Sequence, residues 1–140
     1  MTEVNVTKTI QISADKAWAN LSYLRVFENI SPIERSEVIG EGAGATRTCY
    51  MPDGAAIYET LDKVDSSTME FQYSITEGPF PVEGYVSTVG IKAVGENSCS
   101  VSWTAQYDVS DEAAGQMKEL FEGFYNVIID SLENLVKSQN

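Results

Sequence analysis

The 140-residue chain contains no histidine. That removes the Ser-His-Asp triad, a histidine general base and the commonest metal-ligand sets. Cysteine is almost as scarce. Cys49 and Cys99 are the only two and lack CxxC spacing, so they read as small buried hydrophobes rather than a redox or metal pair. Basic residues number 9 against 21 acidic ones, a net charge of −12. A nucleic-acid backbone or an anionic membrane would be repelled, so neither is expected as a partner, and the plain reading is an acid-rich, solvated surface. No apolar run approaches the roughly 18 residues of a membrane span, so no membrane insertion is expected. No basic start with an apolar core appears at the N-terminus, and the chain reads as cytoplasmic. On that reading the acceptor triplets at Asn5, Asn20 and Asn29 match the glycosylation pattern by chance. No repeat, low-complexity stretch or linker interrupts the chain, which is expected to form one domain over residues 1–140.

What is present is a clear alternation of periods. Residues 111–137 read as one helix about 40 Å long at 1.5 Å per residue. Met117, Leu120, Phe121, Phe124, Ile128, Leu132 and Leu135 recur at spacings of three and four and make an apolar stripe. Ser110 can cap it, with Asp111 and Glu112 in the first turn, where the helix dipole favours negative charge. At the other end of the chain, Val4, Val6, Ile10 and Ile12 share one parity, which predicts a strand over 4–12. Ser13 can cap a short helix at 14–21, and a second short helix is expected at 23–30, stopping before Ser31-Pro32.

Six strands are expected next, at 34–39, 45–51, 55–64, 69–75, 85–91 and 101–109. Pro52-Asp53-Gly54 is a turn signal that joins the second and third of them as a hairpin. Met69, Phe71, Tyr73 and Ile75 alternate with polar residues, the cleanest half-buried pattern in the chain. The predicted fold class is therefore α+β: a seven-stranded curved antiparallel sheet wrapped around a long C-terminal helix, with two short helices between strands 1 and 2. A sheet so curved is expected to enclose more space than one helix fills, leaving a ligand-sized void between them.

This order of elements carries several short motifs: Gly42-Ala43-Gly44-Ala45-Thr46-Arg47, Pro52-Asp53-Gly54, Glu59-Thr60-Leu61, Tyr73-Ser74-Ile75, Pro79-Phe80-Pro81-Val82, Gly84-Tyr85 and Val101-Ser102-Trp103. Together they resemble the START and birch-pollen-allergen superfamily, and within it the bacterial polyketide cyclase/dehydrase-type (SRPBCC) proteins. The resemblance runs over nearly the whole chain and implies the helix-grip fold. It leaves function open, because the family includes lipid carriers, hormone receptors and cyclases. The chain is also similar, more distantly, to the plant abscisic acid receptors. That likeness implies a mobile gate at Met51-Pro52-Asp53-Gly54-Ala55 and a latch near Phe80-Pro81-Val82. It also implies polar ligand contacts at Glu59, Tyr85 and Ser87. The receptors' basic latch sequence is replaced here, which speaks against an abscisate-like carboxylate ligand.

Strand parity places Glu59 on one face with Ile57 and Leu61, so a carboxylate is expected among apolar neighbours, where desolvation raises its pKa unless a cation or donor compensates. Arg47, in phase with Cys49 on the preceding hairpin strand, is the candidate cation. The pair can close the sheet structurally or anchor a ligand. Phe71, Tyr73, Tyr85, Trp103, Phe121 and Phe124 are the aromatic candidates for a ligand wall. For these and for Tyr107 and Tyr125 a plain core role is the commoner one. Gly123, inside the long helix, marks either close packing or room for a ligand. No cofactor is expected, because the glycines at 42–44 lead into a strand rather than a helix and form no nucleotide fingerprint. The leading reading is a binder of a small, mostly apolar molecule (lipid-, hormone- or polyketide-like) carrying one or two polar groups. The alternative is a cyclase or dehydratase in which Glu59 is the acid/base and Tyr73, Tyr85 or Arg47 polarises a carbonyl. A third is a protein-interaction or chaperone co-factor module.

Overall fold

The computed structural model describes residues 2–21 and 35–138. The chain runs β1 (Thr2–Ile10), α1 (Ala14–Leu21), β2 (Arg35–Ile39), β3 (Thr46–Tyr50), β4 (Ala56–Asp65), β5 (Glu70–Glu77), β6 (Val82–Gly95), β7 (Ser98–Val109) and α2 (Asp111–Ser138). The expected second short helix at 23–30 lies outside the described residues. Each of the other expected elements is present, with ends shifted by a few residues at most, except β6, which runs several residues further in both directions.

All seven strands belong to one antiparallel sheet in the order β1-β7-β6-β5-β4-β3-β2. Five successive antiparallel pairings run from β2 to β7, and the first strand then pairs with the last, Val4 opposite Ala105 and Val6 opposite Trp103. Four register shifts bend the sheet, two in the β4–β5 pairing, at Tyr58/Glu59 and Leu61/Lys63, and two in the β6–β7 pairing, at Glu83/Val86 and Ala93/Gly95. An extra residue on one strand increases local twist, which curls the sheet around its apolar face. The β3–β4 turn closes through Gly54, whose positive φ of 91° suits a residue without a Cβ. Its N–H donates to the Met51 carbonyl at 2.9 Å, and Asp53 Oδ1 accepts from Ala55 N at 2.9 Å.

The concave face is mostly apolar by alternation. Val4, Val6 and Ile10 on β1, Phe71 and Tyr73 on β5, Tyr85, Val89 and Ile91 on β6, and Val101, Trp103, Ala105 and Tyr107 on β7 are all buried. Both helices are capped as their sequences imply. Ser13 Oγ accepts from Lys16 N and Ser110 Oγ from Ala113 N, each at 3.3 Å.

α2 buries Met117, Phe121, Tyr125, Ile128, Ile129, Leu132 and Val136. This stripe is rotated from the one expected. Leu120 is 42% exposed, and Phe124 and Leu135 are only half-buried, while Tyr125, Ile129 and Val136 take the interior. The cause is lateral docking, because α2 packs on β1, β7 and α1. Lys8 Nζ on β1 meets Asp130 Oδ1, and the backbone N–H of Gln11 donates to Glu133 Oε2, both at 2.5 Å. Gly123 faces solvent and a Cβ there would touch nothing, so neither close packing nor ligand room accounts for it.

Candidate functional site

Between α2 and the β4–β6 part of the sheet lies a small cavity. Its wall is formed by Ile57 and Glu59 of β4, Tyr73 and Ile75 of β5, Phe80 of the 78–81 loop, Tyr85 of β6, and Leu120, Phe121, Phe124 and Tyr125 of α2. Its free volume is about 20 Å³, room for a single water, so the expected ligand-sized void is not open in this structure. Aromatic rings occupy the space. Trp103 stacks on Tyr125 at 5.6 Å between centroids, Tyr107 meets Phe121 edge-on at 5.1 Å, and Phe121 lies 5.3 Å from both Tyr85 and Phe80.

The polar end of the cavity is built on β3 and β4. Arg47 and Glu59 are direct partners in the antiparallel register, and both side chains point inward because each shares parity with a core residue, Cys49 or Leu61. Arg47 Nε donates to Glu59 Oε1 at 2.9 Å, and Arg47 Nη2 donates to the same oxygen. Arg47 is 1% and Glu59 7% exposed. The guanidinium also lies over the Tyr73 ring, 5.6 Å from its centroid. Burial pushes the Glu59 carboxyl above the usual carboxylate range, and the charge and hydrogen bonds of Arg47 pull back part of that shift.

Three tyrosines complete this end. Tyr73 Oη accepts from Trp103 Nε1 at 3.1 Å, and the hydroxyls of Tyr85 and Tyr125 hydrogen-bond to each other from sheet to helix. Burial first, and the nearby Glu59 charge second, push the Tyr73 phenol up to about 12. Burial also carries Tyr85 and Tyr125 well above the ordinary phenol value. All three are therefore neutral hydroxyls at neutral pH. The arrangement offers a carboxylate acceptor and several O–H donors at the end of an otherwise apolar space.

The structure thus brings Glu59, Tyr73, Tyr85, Phe121 and Phe124 to one wall. Arg47, Phe71, Ser87 and Trp103 stand behind it. Arg47 holds Glu59, Phe71 packs on Trp18, and Trp103 supports Tyr73 and Tyr125. Ser87 Oγ donates to the Thr104 carbonyl at 3.0 Å. Ile57, Ile75, Phe80, Leu120 and Tyr125 are wall residues that were not among the candidates. Ile57 and Ile75 share parity with Glu59 and Tyr73, a signal already in the sequence. Phe80 sits in a loop without periodicity, and its signal is the resemblance that implies a latch near Phe80-Pro81-Val82. Among the described residues no group of three metal-ligating side chains occurs, and no helix is long and apolar enough to cross a membrane.

The model of the polyketide cyclase / dehydrase and lipid transport family matches residues 1–138. The chain belongs to that family. Solved structures agree in fold. The protein XoxI from Bacillus cereus superposes with a TM-score of 0.88 at 25% identity, covering 97% of this chain and 96% of the other. A protein from Bacillus thuringiensis is 27% identical, with a TM-score of 0.83 over 96% and 98% of the two chains. Norcoclaurine synthase from Thalictrum flavum, solved with dopamine and hydroxybenzaldehyde, gives a TM-score of 0.81 over 99% and 88%. At 20% identity that likeness concerns the fold. No curated protein matches the chain. Within this polyketide cyclase / dehydrase and lipid transport family, the Arg47–Glu59 pair and the tyrosine hydroxyls are what this chain itself places at the cavity.

Proposed function

We propose that this family member binds a small, mostly apolar molecule carrying one or two polar groups between the sheet and α2. The observation that carries this reading is Glu59, a buried carboxylate on the wall of a cavity whose other described lining residues are apolar or tyrosine. A group of that kind has a large desolvation cost and is usually retained where it meets a partner. The free volume is too small for such a ligand as it stands, so binding requires displacement of the mouth residues. Leu120 is 42% exposed, and Phe80 and Phe124 are half-buried, so these side chains can move without unpacking the core.

The test is titration with N-phenyl-1-naphthylamine, an uncharged apolar fluorophore. The native chain should bind one molecule with enhanced emission. Leu120→Trp, which fills the mouth from an exposed position, should weaken binding by about tenfold or more, a loss of ~1.4 kcal/mol. Equal binding by the variant, or several dye molecules per chain, would place the site elsewhere.

A second reading, a cyclase- or dehydratase-type enzyme, is supported by the raised pKa of Glu59 beside neutral tyrosine hydroxyls. A carboxyl poised nearer neutrality can exchange a proton with a bound carbonyl compound while a tyrosine O–H polarises its oxygen. On this reading Glu59→Gln retains ligand binding and loses turnover. Unchanged turnover in that variant would remove Glu59 from the chemistry.

A further inference from the structure

The proposed site also specifies the charge and polarity of its ligand. Arg47 Nε and Nη2 donate to Glu59 Oε1, and Oε2 accepts none from the described residues. Glu59 lines the cavity, so Oε2 is the oxygen with lone pairs to offer there. Arg47 already balances the carboxylate charge. A ligand cation would therefore enter a low-dielectric space without a net counter-charge.

An anion fares worse. Among the described residues no lysine or arginine lines the cavity, and the buried guanidinium stands behind the wall with its Nε and Nη2 on Glu59. A carboxylate or phosphate headgroup would sit beside a carboxylate in a chain of net charge −12. The tyrosines supply donors for a neutral acceptor. Tyr73 accepts the Trp103 N–H, so its own O–H remains for Tyr85, Ser87 or a ligand. Tyr85 and Tyr125 use one proton between them, which leaves the pair one more to donate.

We infer that the cavity selects an uncharged, hydroxyl-bearing ligand whose O–H donates to Glu59 Oε2, in preference to an anionic lipid or any carboxylate. The inference rests on the proposed binding site and narrows it. A phenol, enol or alcohol on an apolar skeleton fits this pattern of donors and acceptors. The free end of a fatty acid or an anionic phospholipid does not.

The experiment compares three ligands on one skeleton, 2-naphthol, 2-methoxynaphthalene and 2-naphthoate, as competitors of N-phenyl-1-naphthylamine at neutral pH. 2-Naphthol should bind about tenfold tighter than its methyl ether, with the carboxylate weakest, because only the naphthol donates to the carboxylate oxygen. In the double variant Arg47→Met/Glu59→Leu, which replaces the ion pair by apolar groups, the ether should still bind and the preference should fall below about threefold. Equal binding of naphthol and ether, binding of the carboxylate as tight as the naphthol, or a preference that survives in the double variant would each overturn the inference while leaving the cavity as the binding site. Failure of all three compounds and of the dye to bind would overturn the site itself. Should the double variant not fold, the three-ligand ranking on the native chain decides alone.

Discussion

Arg47 and Glu59 lie directly opposite each other on β3 and β4, and both hydrogen bonds between them converge on one carboxylate oxygen. The pair is nearly inaccessible to solvent, so each charge depends on the other. Arg47→Met should therefore leave an uncompensated buried carboxyl and cost about 3–5 kcal/mol. The double variant with Glu59→Leu should return to within about 1 kcal/mol of the native chain, since a well-packed apolar pair of similar volume often matches a buried ion pair. Urea denaturation measures both. A single variant as stable as the double one would show that the pair is not coupled.

High pH should unfold the protein through its tyrosines. The Tyr73 phenol is pushed up to about 12 and those of Tyr85 and Tyr125 well above 10.0, so the folded state holds these protons more tightly than the unfolded chain. That contribution is intact below the unfolded value near 10.0 and is lost as pH rises through about 12. For Tyr73 alone it amounts to roughly 3 kcal/mol, at 1.36 kcal/mol per pKa unit. Phenolate absorbance from these residues should appear together with loss of circular dichroism. Absorbance that rises first, with the helix signal intact, would contradict their burial.

Gly123→Ala should stabilise the chain by about 1 kcal/mol, the propensity difference between the two residues in a helix interior. The Cβ added there meets no neighbouring atom. A loss of thermal stability in this variant would reveal a close approach to the helix at that point.

Leu132 and Leu120 belong to the same expected stripe but should behave differently. Leu132 is 0% exposed, and Leu132→Ala should cost about 2–5 kcal/mol through lost burial and an added cavity. Leu120 lies 42% exposed at the cavity mouth, and Leu120→Ala should change stability by no more than about 0.5 kcal/mol. Comparable losses at both positions would mean that α2 sits in a different rotation.

The two leucines show where sequence reading ends. Period-two alternation predicted the strands and which side of each faces inward, because a strand has only two faces and every second residue must share one. It placed Glu59 with Ile57 and Leu61 and named Arg47 as its partner, and the register sets the two side by side. Local capping chemistry gave the starts of both described helices, since Ser13 and Ser110 act within one turn of their own positions.

A helix offers a continuous circumference, and spacing alone leaves its rotation free by about one residue, or 100°. The docking of α2 against β1, β7 and α1 chose Tyr125, Ile129 and Val136 over Leu120, Phe124 and Leu135 for the interior. The smallness of the cavity was hidden for the same reason. Its size is the residue of a curved sheet, a rotated helix and a set of aromatic rings drawn from β5, β6, β7, α2 and the 78–81 loop. The described elements, the inward faces of the strands and the pairing of Arg47 with Glu59 were thus legible in the sequence, because capping contacts between near neighbours and strand parity set them. Packing alone set the near-filling of the space beneath α2, the position of Leu120 and Phe124 at its mouth, and the one oxygen of Glu59 that Arg47 leaves to the cavity. Those features depend on packing between residues far apart in the chain, which no local pattern encodes.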